Sequence, residues 1–193
     1  MKFLLSLCFL SFAAHATTIG DTAPDFSLTG SPKTVKLSDQ KGKFVVLEWY
    51  NEGCPFVRKH YDSNNMQALQ EKYSGKVTWL TVNSSAKDRQ GYLASAGAAK
   101  DMYSKEQMKA MSLLIDSDGK IGKAYGAKTT PHMFIIDPKG KIAYQGAIDS
   151  ISSANKGDVK KAKNYVDMAL TEALGGRKIA MAKTTPYGCS VKY

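Results

Sequence analysis

Phe44-Val45-Val46-Leu47-Glu48-Trp49-Tyr50-Asn51-Glu52-Gly53-Cys54-Pro55-Phe56-Val57-Arg58-Lys59-His60-Tyr61 is the stretch on which the reading of this chain turns. Phe44 to Leu47 is an unbroken apolar run, which suits a central strand covered on both faces. A short polar loop follows, then a cysteine and at once a proline. Pro55 fits the first helical position, where its missing N–H costs nothing and its fixed φ suits the turn. Cys54 then stands at the head of a helix, where free backbone N–H groups and the positive dipole end favour thiolate over thiol. Arg58 and Lys59, one turn on, add to that field. The alternative is a buried structural cysteine, the commoner fate of a lone thiol, but a strand delivering a cysteine to a helix start is the geometry of a reactive one.

Two blocks carry a resemblance. Glu48-Trp49-Tyr50-Asn51-Glu52-Gly53-Cys54-Pro55-Phe56-Val57 and the terminal Tyr187-Gly188-Cys189-Ser190-Val191-Lys192-Tyr193, with Thr129-Thr130-Pro131 between them, resemble the thioredoxin superfamily. The nearest branch is the peroxiredoxin-like (AhpC/TSA-type redoxin) exported proteins of that superfamily, and the likeness runs from about Ile19 to the last residue. It implies an α/β, thioredoxin-like fold: a central mixed sheet flanked by helices, with an N-terminal extension and a C-terminal tail over 177–193. It also implies that Thr130-Pro131 is a cis-proline loop offering backbone groups to a bound peptide, and that Cys189 is the partner of Cys54. His132, next to that loop, is a candidate to sit near the thiol and lower its pKa; the competing reading is a structural histidine. Tyr50 and Asn51 line the loop before Cys54 and are candidates to shape access to it. Glu48 stands six residues before Cys54, where thioredoxins carry a buried acid. It is either a desolvated carboxylate with a raised pKa, able to act as general base, or a solvated strand-end glutamate. His60 is read as surface or core.

Departures from the family limit the chemistry. A second thioredoxin cysteine would lie three residues after the first, and Val57 is there, so no disulfide closes within one helical turn. Peroxiredoxins need a proline seven residues and a threonine or serine three residues before the cysteine; here these are Leu47 and Asn51. Peroxide activation therefore ranks behind disulfide exchange.

Met1-Lys2, the apolar run Phe3 to Ala14 and Ala14-His15-Ala16 read as a secretory signal peptide, too short to span a bilayer. Cleavage after Ala16 removes Cys8 and leaves 177 of 193 residues, expected to form a single domain, with Cys54 and Cys189 the only cysteines. An exported, oxidising setting suggests that two cysteines pair. The pair either exchanges with substrate disulfides, Cys54 attacking and Cys189 resolving, or is a permanent staple on the tail; closing so long a loop would stabilise by roughly 5 kcal/mol in the chain-entropy account. The formal charge of +10 falls to +9 without Lys2. The lysines are scattered, with no aromatic-interleaved stripe, and point to a solvated surface rather than nucleic-acid binding. No His-Glu-x-x-His or Walker-type loop is present, so neither metal nor cofactor is expected; Asp116-Ser117-Asp118-Gly119 reads as a turn.

Along the chain, helices are expected from Cys54 to about Tyr61, from about Asn65 through Tyr73, from a capping box at Ser104-Lys105-Glu106-Gln107 to about Met111, and from about Asp158 to Leu174. Strands are expected at Val77 to Asn83 and Leu113 to Ile115, with a hairpin joining Met133-Ile136 to Lys141-Gln145, and a loop over 84–100. The function expected is an exported thiol–disulfide oxidoreductase using Cys54 with Cys189, acting on protein disulfides or a partner reductase. A weak thiol peroxidase and a non-enzymatic scaffold held by a Cys54–Cys189 staple are the alternatives. Neither stable membrane insertion nor a particular oligomeric state is read from the sequence.

Overall fold

The computed structural model describes residues 17–193; the expected leader, with Cys8, lies outside the described residues. The chain opens with three two-residue strands, β1 (Ser27–Leu28), β2 (Gly30–Ser31) and β3 (Val35–Lys36). The quoted stretch then forms β4 (Phe44–Trp49) and α1 (Pro55–Tyr61). After them come α2 (Asn65–Lys72), β5 (Val77–Asn83), α3 (Ala96–Lys105), β6 (Ser112–Ile115) and α4 (Lys120–Tyr125). The second half holds β7 (Thr129–Thr130), β8 (His132–Ile136), β9 (Ile142–Gly146), α5 (Tyr165–Leu174) and β10 (Cys189–Ser190).

Six strands make one mixed sheet in the order β2-β6-β5-β4-β8-β9. β4 pairs parallel with β5 and antiparallel with β8, and β5 pairs parallel with β6, so β4 lies inside the sheet. Strand alternation sends Val45, Leu47 and Trp49 to one face, with Leu37, Tyr125 and Phe134. Val46 and Tyr50 go to the other, with Val57 and Tyr61 of α1, Met66 and Leu69 of α2, and Val166 and Leu170 of α5. Each such apolar side chain, once buried, contributes roughly 1.5–3 kcal/mol. This two-sided layering is the arrangement the resemblance implies. Among the described residues no helix is long and apolar enough to cross a membrane.

Two helix expectations are corrected and one turn is extended. No helix opens at Ser104: α3 ends there, having begun inside the expected loop, where the Ser95 side chain accepts the Ala98 N–H at 3.2 Å as N-cap. The turn expected at Asp116-Ser117-Asp118-Gly119 is present, Gly119 N donating to Asp116 O (2.9 Å), and the Asp116 carboxylate also accepts the Ile121 and Gly122 N–H groups (3.1 and 2.8 Å) in the first turn of α4. The last helix starts at Tyr165 rather than near Asp158. A 3-10 turn over Lys156–Asp158 precedes it, and the Asn164 side chain caps it by accepting from Asp167 N.

The tail is fastened along its length. Gln145 N and O bond Ala182 O and Thr184 N at 3.0 and 3.1 Å, and the Thr184 hydroxyl accepts the Ala147 N–H at 2.9 Å. β10 then pairs antiparallel with β7, Cys189 opposite Thr130 and Ser190 opposite Thr129. Val191 N donates to Lys128 O (3.2 Å), Ala86 N donates to Lys192 O (2.7 Å), and the Tyr193 hydroxyl donates to Ala127 O (2.8 Å). Gly188 makes the approach possible: its φ is +139, and a Cβ there would overlap the Thr130 carbonyl oxygen. Gly188→Ala is therefore expected to cost about 1–3 kcal/mol of stability and to open the tail to trypsin at Lys183 and Lys192. Unchanged cleavage and stability would show that the backbone tolerates a side chain there.

Candidate active site

The loop leaving β4 is built by Asn51. Its side-chain oxygen accepts the Gly53 N–H (2.9 Å), and its amide donates to Ser85 Oγ (3.0 Å) and Gln90 O (2.8 Å). Asn51 thus spends its hydrogen bonds shaping the loop. Tyr50 is buried, with its hydroxyl donating to Glu106 Oε1 at 3.1 Å. Cys54 caps α1, and Pro55 occupies the first turn as its missing N–H allows.

The Cys54 side chain is fully buried, and its Sγ lies 2.9 Å from the Thr130 carbonyl oxygen, on the loop whose Thr130–Pro131 bond is cis. The β7–β10 pairing sets Cys189 opposite Thr130, and Cys189 packs against the cluster that holds Cys54, both cysteines being free thiols. Burial acts to raise the Cys54 pKa. The Cys189 thiol and the Cys189 and Val57 N–H groups close to it outweigh burial and leave Cys54 below the ordinary thiol value. The Thr130 carbonyl, which accepts from the Cys54 thiol, works against the thiolate. Burial, followed by the hydrogen bond to Cys54, pushes Cys189 up to about 11.

Arg58 and Lys59 do not supply the free positive field expected of them. Arg58 forks onto both Glu106 oxygens (2.7 and 2.6 Å). Lys59 is fully buried and donates to Asp149 Oδ2 (2.8 Å), Ile151 O (2.8 Å) and the Tyr187 hydroxyl (3.1 Å). Tyr187 also donates to Asp149 Oδ1, lies 3.3 Å from His60 Nε2 and stacks edge-on against Phe56. Burial lowers the His60 pKa to about 4, so its ring is neutral at pH 7. This cluster, two residues from Cys189, joins α1 to the tail. Sequence reasoning missed it.

His132 does not join the thiol. It packs against Phe134 at 4.5 Å between ring centroids, with Nδ1 accepting the Lys128 N–H (3.2 Å), and burial lowers its pKa to about 3. Residues 132 and 134 share a strand face, and Phe134 belongs to the core on the side away from α1. The histidine is a neutral core residue.

Glu48 lies on the α1 side of β4, fully buried. It accepts from Tyr61 Oη (2.7 Å), Trp79 Nε1 (2.8 Å), Gln70 Nε2 (3.1 Å) and Thr81 Oγ1 (3.3 Å), and neither cysteine is among these partners. Desolvation raises its pKa to about 6 against the lowering effect of those four donors. A carboxyl with a higher pKa folded than unfolded binds its proton more tightly when folded, so its contribution to stability falls as pH rises from 4.5 to about 6. That span is worth about 2 kcal/mol. Glu48→Gln keeps an acceptor for Trp79 and Gln70, and is expected to exceed wild-type stability at pH 7.5 by about 1–2 kcal/mol while matching it near pH 4. Urea unfolding of both proteins at the two pH values checks this, and a difference independent of pH would contradict it.

Among the described residues no group of three or more His, Cys, Asp or Glu is placed to hold a metal. With this geometry in view, the comparisons give the lineage. The AhpC/TSA family profile matches residues 19–145. The chain belongs to the AhpC/TSA family.

The thiol-disulfide oxidoreductase ResA of Bacillus thuringiensis subsp. konkukian is 31% identical over 126 residues, covering 64% of this chain and 66% of the relative, just under two thirds of its length. An uncharacterized conserved protein from Geobacillus kaustophilus superposes with a TM-score of 0.77 at 26% identity, covering 91% of this chain and 92% of its own. A Chlorobium tepidum structure, provisionally designated thiol:disulfide interchange protein DsbE, gives a TM-score of 0.59 at 28% identity, covering 83% of this chain and 100% of its own. The fold is thioredoxin-like. The family match stops at Gln145, so the tail that carries Cys189 lies beyond it.

Proposed function

We propose that this chain is an exported thiol–disulfide oxidoreductase whose redox couple is Cys54 and Cys189, exchanging with protein disulfides or with a partner reductase. The observation that carries the reading is the register that sets Cys189 opposite Thr130, whose carbonyl oxygen lies 2.9 Å from Cys54 Sγ, so that Cys189 packs against the cluster holding Cys54; the pKa of Cys54 is lowered there and that of Cys189 raised. The lower-pKa member of such a pair is the better leaving group when the disulfide opens. Similarity to ResA supports the reaction class. Export rests on the leader-like pattern of Met1 to Ala16 and on the use of two cysteines as a pair.

Thr130 and Pro131 serve as the docking edge, which in this state receives the chain's own β10. Tyr50 and Asn51 fix the loop that presents Cys54. Glu48, titrating near 6 behind α1, is the proton store of the site. Leu47 and Asn51, where peroxide chemistry uses proline and a hydroxyl, keep thiol peroxidase behind disulfide exchange.

A permanent staple is the second reading, favoured by the many bonds that hold the tail. Exchange with a fluorescent two-cysteine peptide separates the two. Cys54→Ser and Cys189→Ser are each expected to lower the rate by more than about a hundredfold. A rate unchanged in either variant, with a wild-type reduction potential below about −300 mV, would favour the staple.

A further inference from the structure

The two sulfurs do not meet solvent equally. Cys54 has 0% of its surface exposed, whereas Cys189 is partly exposed at the rim. The tail packs Cys189 against the cluster that holds Cys54, and the tail is not loosely laid. It is held before Cys189 by Tyr187 on Asp149 and Lys59, and after it by Val191 on Lys128, Lys192 on Ala86 and Tyr193 on Ala127. Lifting the tail off would break these bonds and leave Lys59 and Asp149 short of a buried partner.

Resting on the disulfide-exchange reading above, we infer that Cys189 is the sulfur that engages the partner, and that Cys54 is the buried sulfur that leaves and returns. This reverses the order that the Cys-Pro block alone suggests. Displacement at a disulfide runs in line with the S–S bond, so the incoming thiolate must approach the attacked sulfur from the side opposite the leaving one. Cys189 keeps exposed surface by which a thiolate can approach. Cys54 has none and belongs to the core cluster of Val57 and Tyr61, so no open approach leads to it.

In the oxidised protein a thiolate of a partner dithiol attacks Cys189. A bond forms between the partner sulfur and Cys189, the Cys54–Cys189 bond breaks, and its electron pair departs on Cys54 as thiolate. The second thiolate of the partner then attacks the partner's first sulfur, closing the partner's disulfide. Cys189 is expelled and takes a proton from water. The partner loses two electrons and this chain gains them. In reverse, Cys189 opens a partner disulfide and the Cys54 thiolate resolves the mixed disulfide by attacking Cys189. The lowered pKa of Cys54 suits both of its parts, as leaving group and as internal nucleophile.

The test uses the wild-type chain, oxidised and freed of excess oxidant. It is exposed briefly to glutathione, acid-quenched, alkylated with N-ethylmaleimide and mapped by mass spectrometry. Glutathione is expected on the Cys189 peptide and the maleimide on the Cys54 peptide, by at least about tenfold over the reverse arrangement. Glutathione on Cys54, or equal amounts on both, would overturn the assignment while leaving the redox couple intact. Failure of the oxidised protein to contain a Cys54–Cys189 bond would overturn both the assignment and the reading beneath it.

Discussion

Two residues of strand, Cys189 and Ser190, lie antiparallel to two others, Thr129 and Thr130, and most of what is distinctive about this molecule follows from that pairing. It brings the tail over a loop that is adjacent to the head of α1, and so sets a cysteine from the far end of the chain against one that β4 delivers. It removes Cys54 from solvent, which alone would suppress its ionisation. It also supplies the thiol and N–H donors that more than compensate. Remove the pairing and the burial, the donors and the second sulfur are lost together.

The pairing is too short to hold by itself, since an isolated two-stranded ribbon is marginal in water. Its support comes from buried charge. Lys59 and Asp149 are both withdrawn from solvent, at a desolvation cost that their attraction roughly balances. Tyr187 completes the hydrogen bonding of both. A site of this kind adds little net stability but discriminates strongly: only a tail that places a hydroxyl there leaves no buried charge short of a partner. Arg58, Glu106 and Tyr50 do the same on the other side of α1, tying the helix to the end of α3.

What the sequence made legible was local or periodic. The apolar run of β4, Pro55 at the first helical position and the β5 and β8–β9 alternation are short-range signals, and each appears where it was expected. The burial of Glu48 was open to the same logic, because alternation puts residues 46, 48 and 50 on one face of a strand covered on both sides. The pairing of Cys189 with Cys54 came from the resemblance and from the count of two cysteines in an exported chain, not from any local or periodic pattern. The Lys59–Asp149–Tyr187 cluster had no signal, since its members are separated by 90 and 128 positions and nothing marks a lysine for burial. α3 escaped because it buries only an alanine, Ala99, so no apolar stripe announces it, although Ser95 was a readable cap. His132 was misplaced by proximity in sequence: the residue after a docking loop need not face the same way, and strand alternation turned it to the opposite core.

The central claim is that noncovalent contacts alone, in the dithiol state, keep the tail over Cys54. Amide hydrogen exchange of the fully reduced protein addresses it directly. The N–H groups of Val191 and Ala86, which bond Lys128 O and Lys192 O, are expected to exchange only through large-scale unfolding, at rates close to those of the β4 and β5 amides. Exchange of those two amides at the rate of an unstructured chain, with the central strands still protected, would contradict the account.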